Sequence, residues 1–319
     1  MNILILGGAG FLGSNLARRC VRDSSNHVLV VDSLDENLHS SEDNLADIWD
    51  HIEFTKGDIR DRQLVRELVK GQDVVFNCAA QTSHTLSLSD PVYDAEVNCL
   101  GNLNVLEAVR HQNPNAVVVF PSTSTVIGRA LTDTIDENHL ERPLDIYSAH
   151  KSAAEKHYHI YSASHSLKTV VLRFANLYGP YGKPYPEFGF LNYFLHLAET
   201  GQDITVYGTG GQKRNVMYVE DAADIMYSSA TDQRLYGGLY FATHEEHYTV
   251  SEIAQEIVRV FQRGQVISTE WPEERKRIEV DSVTFSSAQL RGLTGWSPRF
   301  TFEEGLTKTK EIMPGVNQK

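Results

Sequence analysis

The chain is expected to fold as an α/β protein: a doubly wound parallel sheet, followed by a smaller mixed α/β domain. Three observations point there. Over roughly the first 175 residues, short runs that are apolar throughout alternate with amphipathic stretches. Strands buried on both faces read this way, and repeated β-α alternation implies parallel strands joined by right-handed crossovers. A glycine-rich stretch, GGAGFLG at 7–13, sits between the first apolar run and the first helical pattern. Beyond residue 175 the rhythm loosens, starting with the Gly-, Pro- and Tyr-rich YGPYGKPYPEFG at 178–189, which reads as a loop.

Taken in order, the strand candidates are NILIL (2–6), HVLVVD (27–32), HIEF (51–54), DVVFNCA (73–79), AVVVFPS (116–122) and TVVLRF (169–174). Helix candidates between them cover 11–22, 61–70, 94–112 and 147–165. In the second of these, Leu64, Val65, Leu68 and Val69 recur at helical spacing behind an acidic residue suited to N-capping. The boundary is placed at residue 175, giving a first unit (1–175) and a smaller second unit (176–319), some segments of which return to the first. The second unit is expected to hold helices at 190–200, 219–230, 250–263 and 302–312, with strands near 204–207, 214–219 and 238–242.

Composition narrows the partners. The 319 residues carry a formal net charge of -13, which disfavours nucleic acid or an anionic membrane as the main partner, since both need a cationic surface. Three cysteines, Cys20, Cys78 and Cys99, show neither metal-ligand spacing nor a disulfide framework. The start, MNILILGGAG, lacks the basic segment of a secretory leader. A reducing cytoplasmic setting is therefore expected, and no metal site.

Chemistry first enters at 7–13. Gly7 permits a tight turn, Gly10 lets a pyrophosphate approach bare backbone, and Gly13 clears the helix–strand contact. The following helix N-terminus, with Phe11 and Leu12, adds unpaired amides and partial positive charge. Asp32 ends the next strand, 19 residues beyond Gly13. A carboxylate there accepts bonds from an adenosine ribose and repels a 2′-phosphate, so NAD is favoured over NADP. GDIRD (57–61) puts Asp58 and Ile59 against an adenine, and Ala79 and Ala80 let a cofactor lie close to the fourth strand.

The stretch YSAHK (147–151) places Tyr147 and Lys151 one helical turn apart on one face. A free tyrosine has a pKa of about 10, so work as a base near neutrality needs on the order of 4 kcal/mol of anion stabilisation. A neighbouring ammonium is one source.

GGAGFLG, GDIRD, AAQTSH, VNCLGNLNVLEAVR, PSTSTVIG, YSAHKSAAEK, LRFANLYGP and YGTGGQKRNVMYVEDAADI stand in one order along the chain. In this it resembles the extended short-chain dehydrogenase/reductases, specifically the NAD-dependent nucleotide-sugar epimerase/dehydratase family. The resemblance implies a Rossmann domain holding NAD, a smaller domain holding a nucleoside-diphosphate sugar, and a homodimer built through a four-helix bundle. It adds Gln81 and Asn98 to the cofactor set of Gly7, Gly10, Phe11, Leu12, Gly13, Asp32, Asp58, Ile59, Ala79, Ala80, Tyr147 and Lys151. It implies Tyr147 as general base, Lys151 as its electrostatic partner, and Thr123 as the hydroxyl that orients proton transfer, with Ser122 and Ser124 as alternatives in register. His84, Ser124, Asn176, Arg214 and Arg277 are expected at the substrate, with Arg275 the alternative to Arg277 because the usual Gly-Asp is missing there. Ile127 stands where the family has tyrosine and is expected to alter one pocket wall. Ser124 and Thr125 replace the Asp-Glu pair of the sugar 4,6-dehydratases, which argues against that reaction. The expected activity is 4-epimerisation through a transient 4-keto sugar. The alternatives are another reaction of the family (a different dehydratase, a 2-epimerase, a 4-ketosugar reductase) or, from another class, a non-catalytic NAD-sensing module.

Overall fold

The computed structural model of the chain describes residues 1–271 and 282–313. Its elements begin β1 (Asn2–Leu6), α1 (Phe11–Val21), β2 (His27–Asp32), β3 (Glu53–Lys56), α2 (Arg62–Leu68) and β4 (Val74–Asn77). They continue with α3 (His84–Ser89), α4 (Pro91–Ala95), a π turn (Glu96–Gly101), α5 (Asn102–Gln112), β5 (Val117–Thr123), α6 (Ile146–His165) and β6 (Lys168–Phe174). The second half holds β7 (Leu177–Tyr178), α7 (Phe190–Glu199), β8 (Ile204–Tyr207), β9 (Lys213–Asn215), β10 (Met217–Tyr218) and α8 (Val219–Ser229). Last come β11 (Leu239–Ala242), β12 (His247–Thr249), α9 (Val250–Phe261), β13 (Val266–Thr269), α10 (Ala288–Thr294) and α11 (Phe302–Ile312).

Seven parallel strands form the central sheet in the order β11-β6-β5-β4-β1-β2-β3. In the middle, Ile3 of β1 pairs with Val28 of β2 on one side and Val74 of β4 on the other. Side chains alternate across a strand, and here both faces are covered. Ile3 and Ile5 pack with Leu16, Val30, Phe76 and Met226 on one side. Leu4 and Leu6 pack with Val65, Val105, Val109, Phe120 and Tyr158 on the other. That double burial explains the unbroken apolar runs, each fully buried Ile or Leu contributing about 1.5–3 kcal/mol. A third core joins α7, α9 and α11 through Leu191, Phe194, Ile253, Ile257, Phe302 and Leu306. α9 and α11 each start with a reciprocal cap, Thr249 with Glu252 and Thr301 with Glu304.

Three elements differ from their sequence outlines. The apolar run at 238–242 extends the central sheet, with β11 pairing β6 in parallel; Tyr240, Phe241 and Ala242 are buried on both faces. The expected strand 214–219 is two short strands, β9 and β10. The expected helix 94–112 is interrupted by the π turn, one of the places where helices gain an extra residue per turn. α8 also returns to the first layer, against α1, through the ion pairs Arg19–Asp224 and Arg22–Glu220. No helix among the described residues is long and apolar enough to cross a membrane.

Candidate active site

A cleft of about 330 Å³ opens at the carboxyl ends of the central strands, beside the reversal of strand order between β1 and β4. Open α/β sheets bind ligands at this topological position. The turn between β1 and α1 forms one end. Gly7 has φ +73°, and a Cβ there would lie 2.5 Å from Ala79 N. At Gly13 a Cβ would overlap the Gly7 carbonyl oxygen. The turn therefore needs bare backbone at both positions. At the end of β2, Asp32 Oδ2 accepts from Ala9 N at 2.9 Å, while Oδ1 accepts from Leu34 N and Ser40 Oγ. Gly10, Phe11, Leu12, Asp58, Ile59, Ala79 and Ala80 line the same cleft. A glycine cradle at a helix N-terminus, with a carboxylate fixed at the tip of the next strand, fits a dinucleotide with a free ribose diol.

The opposite wall comes from β5 and α6. Asp145 caps α6 by accepting from Ser148 N at 2.7 Å, which starts the helix so that Tyr147 and Lys151 enter the cleft side by side. Tyr147 is 8% exposed. Burial pushes its phenol well above the ordinary tyrosine range; Asp145 and Asp94 add to this, and a hydrogen bond with Thr123 opposes it. Lys151 is 3% exposed. Its Nζ donates to Pro121 O at 2.8 Å and lies 3.9 Å from the centroid of the Phe120 ring, and burial lowers its pKa to about 8. At neutral pH it is still an ammonium.

The hydroxyls at the end of β5 have different partners. Ser122 Oγ donates to Glu155 Oε1 at 2.5 Å and is thereby committed to a buried ion pair. Thr123 Oγ1 lies 3.0 Å from Thr125 Oγ1 and is the hydroxyl that meets Tyr147. Ser124 and Thr125 also line the cleft.

Among the expected substrate residues, His84 lines the cleft. Its Nδ1 is 2.7 Å from Asp145 Oδ2, and its ring packs edge-on against Tyr147 at 5.0 Å. Asn176 lines it too, at φ +39°, with its amide donating to Asn215 O at 2.8 Å.

Other expected residues are not brought to the cleft. Gln81 and Asn98 are fully buried behind its wall, both donating to Asp94 Oδ2, at 2.7 and 3.0 Å. Asp94 Oδ1 in turn holds His150 Nδ1 at 2.6 Å, so these groups set the position of α6 instead of lining the cofactor groove. Arg214 lies on β9 outside the lining, with Nη1 donating to Lys213 O. Arg277 and Arg275 fall outside the described residues. Ile127 does not form a pocket wall; it is buried with Val126, Ile135, Phe241 and Phe285.

Sequence reasoning missed two features. Arg173, 1% exposed, makes a two-pronged pair with Glu155 at 2.9 and 2.6 Å and also reaches Glu141, tying α6 to β6. Its signal was an arginine inside an otherwise apolar strand. Lys183, from the loop after β7, also lines the cleft; nothing in that loop's composition singled it out.

Comparison with known proteins agrees with this geometry. Residues 3–236 match the model of the NAD dependent epimerase/dehydratase family. The chain is 29% identical to the UDP-glucose 4-epimerase of Mycolicibacterium smegmatis, over 100% of both chains. It is 31% identical to the dTDP-glucose 4,6-dehydratase of Streptomyces niveus, over 98% of this chain and 92% of that one. The UDP-glucose 4-epimerase of Thermus thermophilus, solved in complex with NAD, superposes with a TM-score of 0.85 at 29% identity, covering 98% of each chain. With the family model covering residues 3–236, the chain belongs to the NAD-dependent epimerase/dehydratase family, whose members are enzymes acting on nucleotide sugars.

Proposed function

We propose that the chain is an NAD-dependent nucleotide-sugar 4-epimerase. The observation that carries the reading is the row of neutral hydroxyls, Thr123, Ser124 and Thr125, along the cleft beside Tyr147 and Lys151. A 4,6-dehydratase needs an acid and a base to remove water from C5 and C6. Those two positions hold hydroxyls, which neither ionise nor protonate a leaving group near neutral pH.

The remaining machinery suffices for inversion at C4. Gly7, Gly10, Gly13 and Asp32 would hold oxidised NAD, which would supply a reversible hydride acceptor for C4 and a positive charge beside Tyr147. Tyr147 takes the C4 hydroxyl proton and later gives it back. Thr123 bonds both the phenol and the sugar oxygen, fixing the direction of transfer, and Lys151 holds positive charge behind them. Burial of Tyr147 and Lys151 excludes water that would compete for the proton. Asn176 and His84 are assigned to the sugar nucleotide, at the mouth of the cleft. Exposed Val92, Leu100 and Ile160 on the α4–α5 stretch and α6 support a homodimer through those helices.

The test is product analysis by NMR in deuterated water with UDP-, dTDP-, GDP- and CDP-sugars. The expected product is inverted at C4 and carries no deuterium on carbon. Deuterium at C5 or C6 with loss of water would establish a dehydratase, and net cofactor consumption a reductase.

A further inference from the structure

Lys183 lines the cleft but has no part in the proton transfer or the glycine turn. Its ammonium donates to Thr82 Oγ1 at 3.1 Å and lies 4.2 Å from the centroid of the Phe188 ring. Burial is the main influence on it and lowers its pKa to about 8; among the described residues the only carboxylate acting on it is Asp32, through space. Asp32 is held by Ala9, Leu34 and Ser40 and forms no hydrogen bond with Lys183 among the described residues. This half-buried ammonium, with a hydroxyl and an aromatic face as its partners, has shed part of its water without gaining a counter-ion, which favours the approach of an anion.

The segment carrying Lys183 is fastened on both sides of the dinucleotide groove. On one side, Pro180 O accepts from Asn15 Nδ2 of α1 at 3.1 Å, and the Arg18 guanidinium lies 3.8 Å from the Tyr181 ring centroid. On the other, Tyr185 and Phe188 pack against His39, beyond the end of β2, with ring centroids 4.4 and 5.7 Å apart. Residues 180–189 thus bridge from the helix whose N-terminus faces the groove to the segment that follows Asp32. Lys183 hangs beneath that bridge, and its partner Thr82 follows Ala79 and Ala80 along the cofactor wall.

We infer that Lys183 is a ligand for the pyrophosphate of the bound dinucleotide, and that the strap at 180–189 retains the cofactor between turnovers. The helix N-terminus offers amides from below and the lysine a full charge from above, so the pyrophosphate is held from two sides. The dinucleotide is favoured over the sugar nucleotide as the source of that diphosphate because Thr82 and Asp32, the groups around Lys183, both belong to the cofactor wall.

The test compares wild type with Lys183→Met, Lys183→Arg and Tyr185→Ala. The readouts are NAD remaining after desalting, the Kd for NAD of stripped protein at two salt concentrations, and the Kd for UDP of NAD-loaded protein. Loss of a charge-assisted bond in Lys183→Met should weaken NAD about 10- to 100-fold and flatten its salt dependence, with Lys183→Arg recovering most of the loss. Tyr185→Ala, which removes a strap anchor but not the charge, should hasten NAD release several-fold, and UDP affinity should stay within about twofold throughout. Unchanged NAD affinity in a folded Lys183→Met, or weakened UDP binding with NAD retention intact, overturns the assignment. Should Lys183→Met not fold, unchanged NAD release from Tyr185→Ala overturns the strap. None of these readouts depends on which sugar reaction the enzyme performs.

Discussion

Replacing Lys151 by methionine should stabilise the cofactor-free protein while destroying its activity. Lys151 is almost wholly buried, and its pKa falls from 10.5 to about 8 through desolvation. At about 1.4 kcal/mol per unit, burying the ammonium costs the empty fold on the order of 3 kcal/mol at neutral pH. The substitution removes that cost but leaves Pro121 O without its donor, a loss of about 1 kcal/mol. The net expectation is a gain of about 2 kcal/mol at pH 7. The sign depends on pH. Below the folded pKa of about 8 both states bind the proton and the full penalty is present. Between about 8 and 10.5 only the unfolded chain binds it, so wild-type stability rises with pH and the variant's advantage shrinks. Urea unfolding of stripped wild type and Lys151→Met at pH 7 and near pH 10 measures both points. A variant less stable than wild type at pH 7, or an advantage equal at both pH values, would refute the reasoning.

Three further outcomes follow from the same geometry. Tyr147→Phe should lower turnover by about 10²- to 10⁴-fold with NAD occupancy unchanged, as measured by nucleotide released on denaturation; joint loss of both would mean that the phenol holds the cofactor. Gly13→Ala forces a methyl into the Gly7 carbonyl and should lower both NAD occupancy and Tm, while Gly292→Ala, which meets nothing within 4 Å, should change neither. Arg173→Met strands the Glu155 carboxylate with only Ser122 as its partner in the core and should cost about 3–5 kcal/mol in urea unfolding; the double replacement of Arg173 and Glu155 by apolar residues should recover most of it.

The parts of the site legible in the sequence are those whose chemistry is written in local backbone geometry. A glycine turn needs its glycines wherever the rest of the chain goes, and Tyr147 and Lys151 share a face because a helix has 3.6 residues per turn. The parts that were not legible depend on pairings distant in sequence. Residues 239–242 have the same apolar character at the edge of either layer, and only the exposed edge of β6 decides the matter. Gln81 and Asn98 lie in the right motifs, yet a buried Asp94 offers two acceptors on the far side of the wall, and a buried carboxylate takes donors before a solvated groove can. The π turn at 96–101 includes Asn98, a local irregularity without a compositional signature. Ile127 is similar: its place in the motif suggested a cleft wall, but an apolar side chain next to Val126 joins the core formed with Phe241 and Phe285.

That inward pull also bears on how the site works. Burial drives the Tyr147 phenol up and the Lys151 ammonium down, each toward its neutral form. The nearby carboxylates act in one direction on both groups: Asp145 and Asp94 oppose loss of the phenol proton, and Asp94 favours retention of the lysine's. In the empty cleft the tyrosine therefore has no tendency to act as a base. In the proposed reaction it would become one only when further positive charge lies against it, and the charge available would be that of the oxidised cofactor. A base silent until the hydride acceptor is present and oxidised cannot drive proton loss uncoupled from hydride transfer. The same low-dielectric burial that makes Lys151 a liability to the apo fold strengthens its field once a phenolate forms, so the cost in stability and the gain in catalysis arise from one cause.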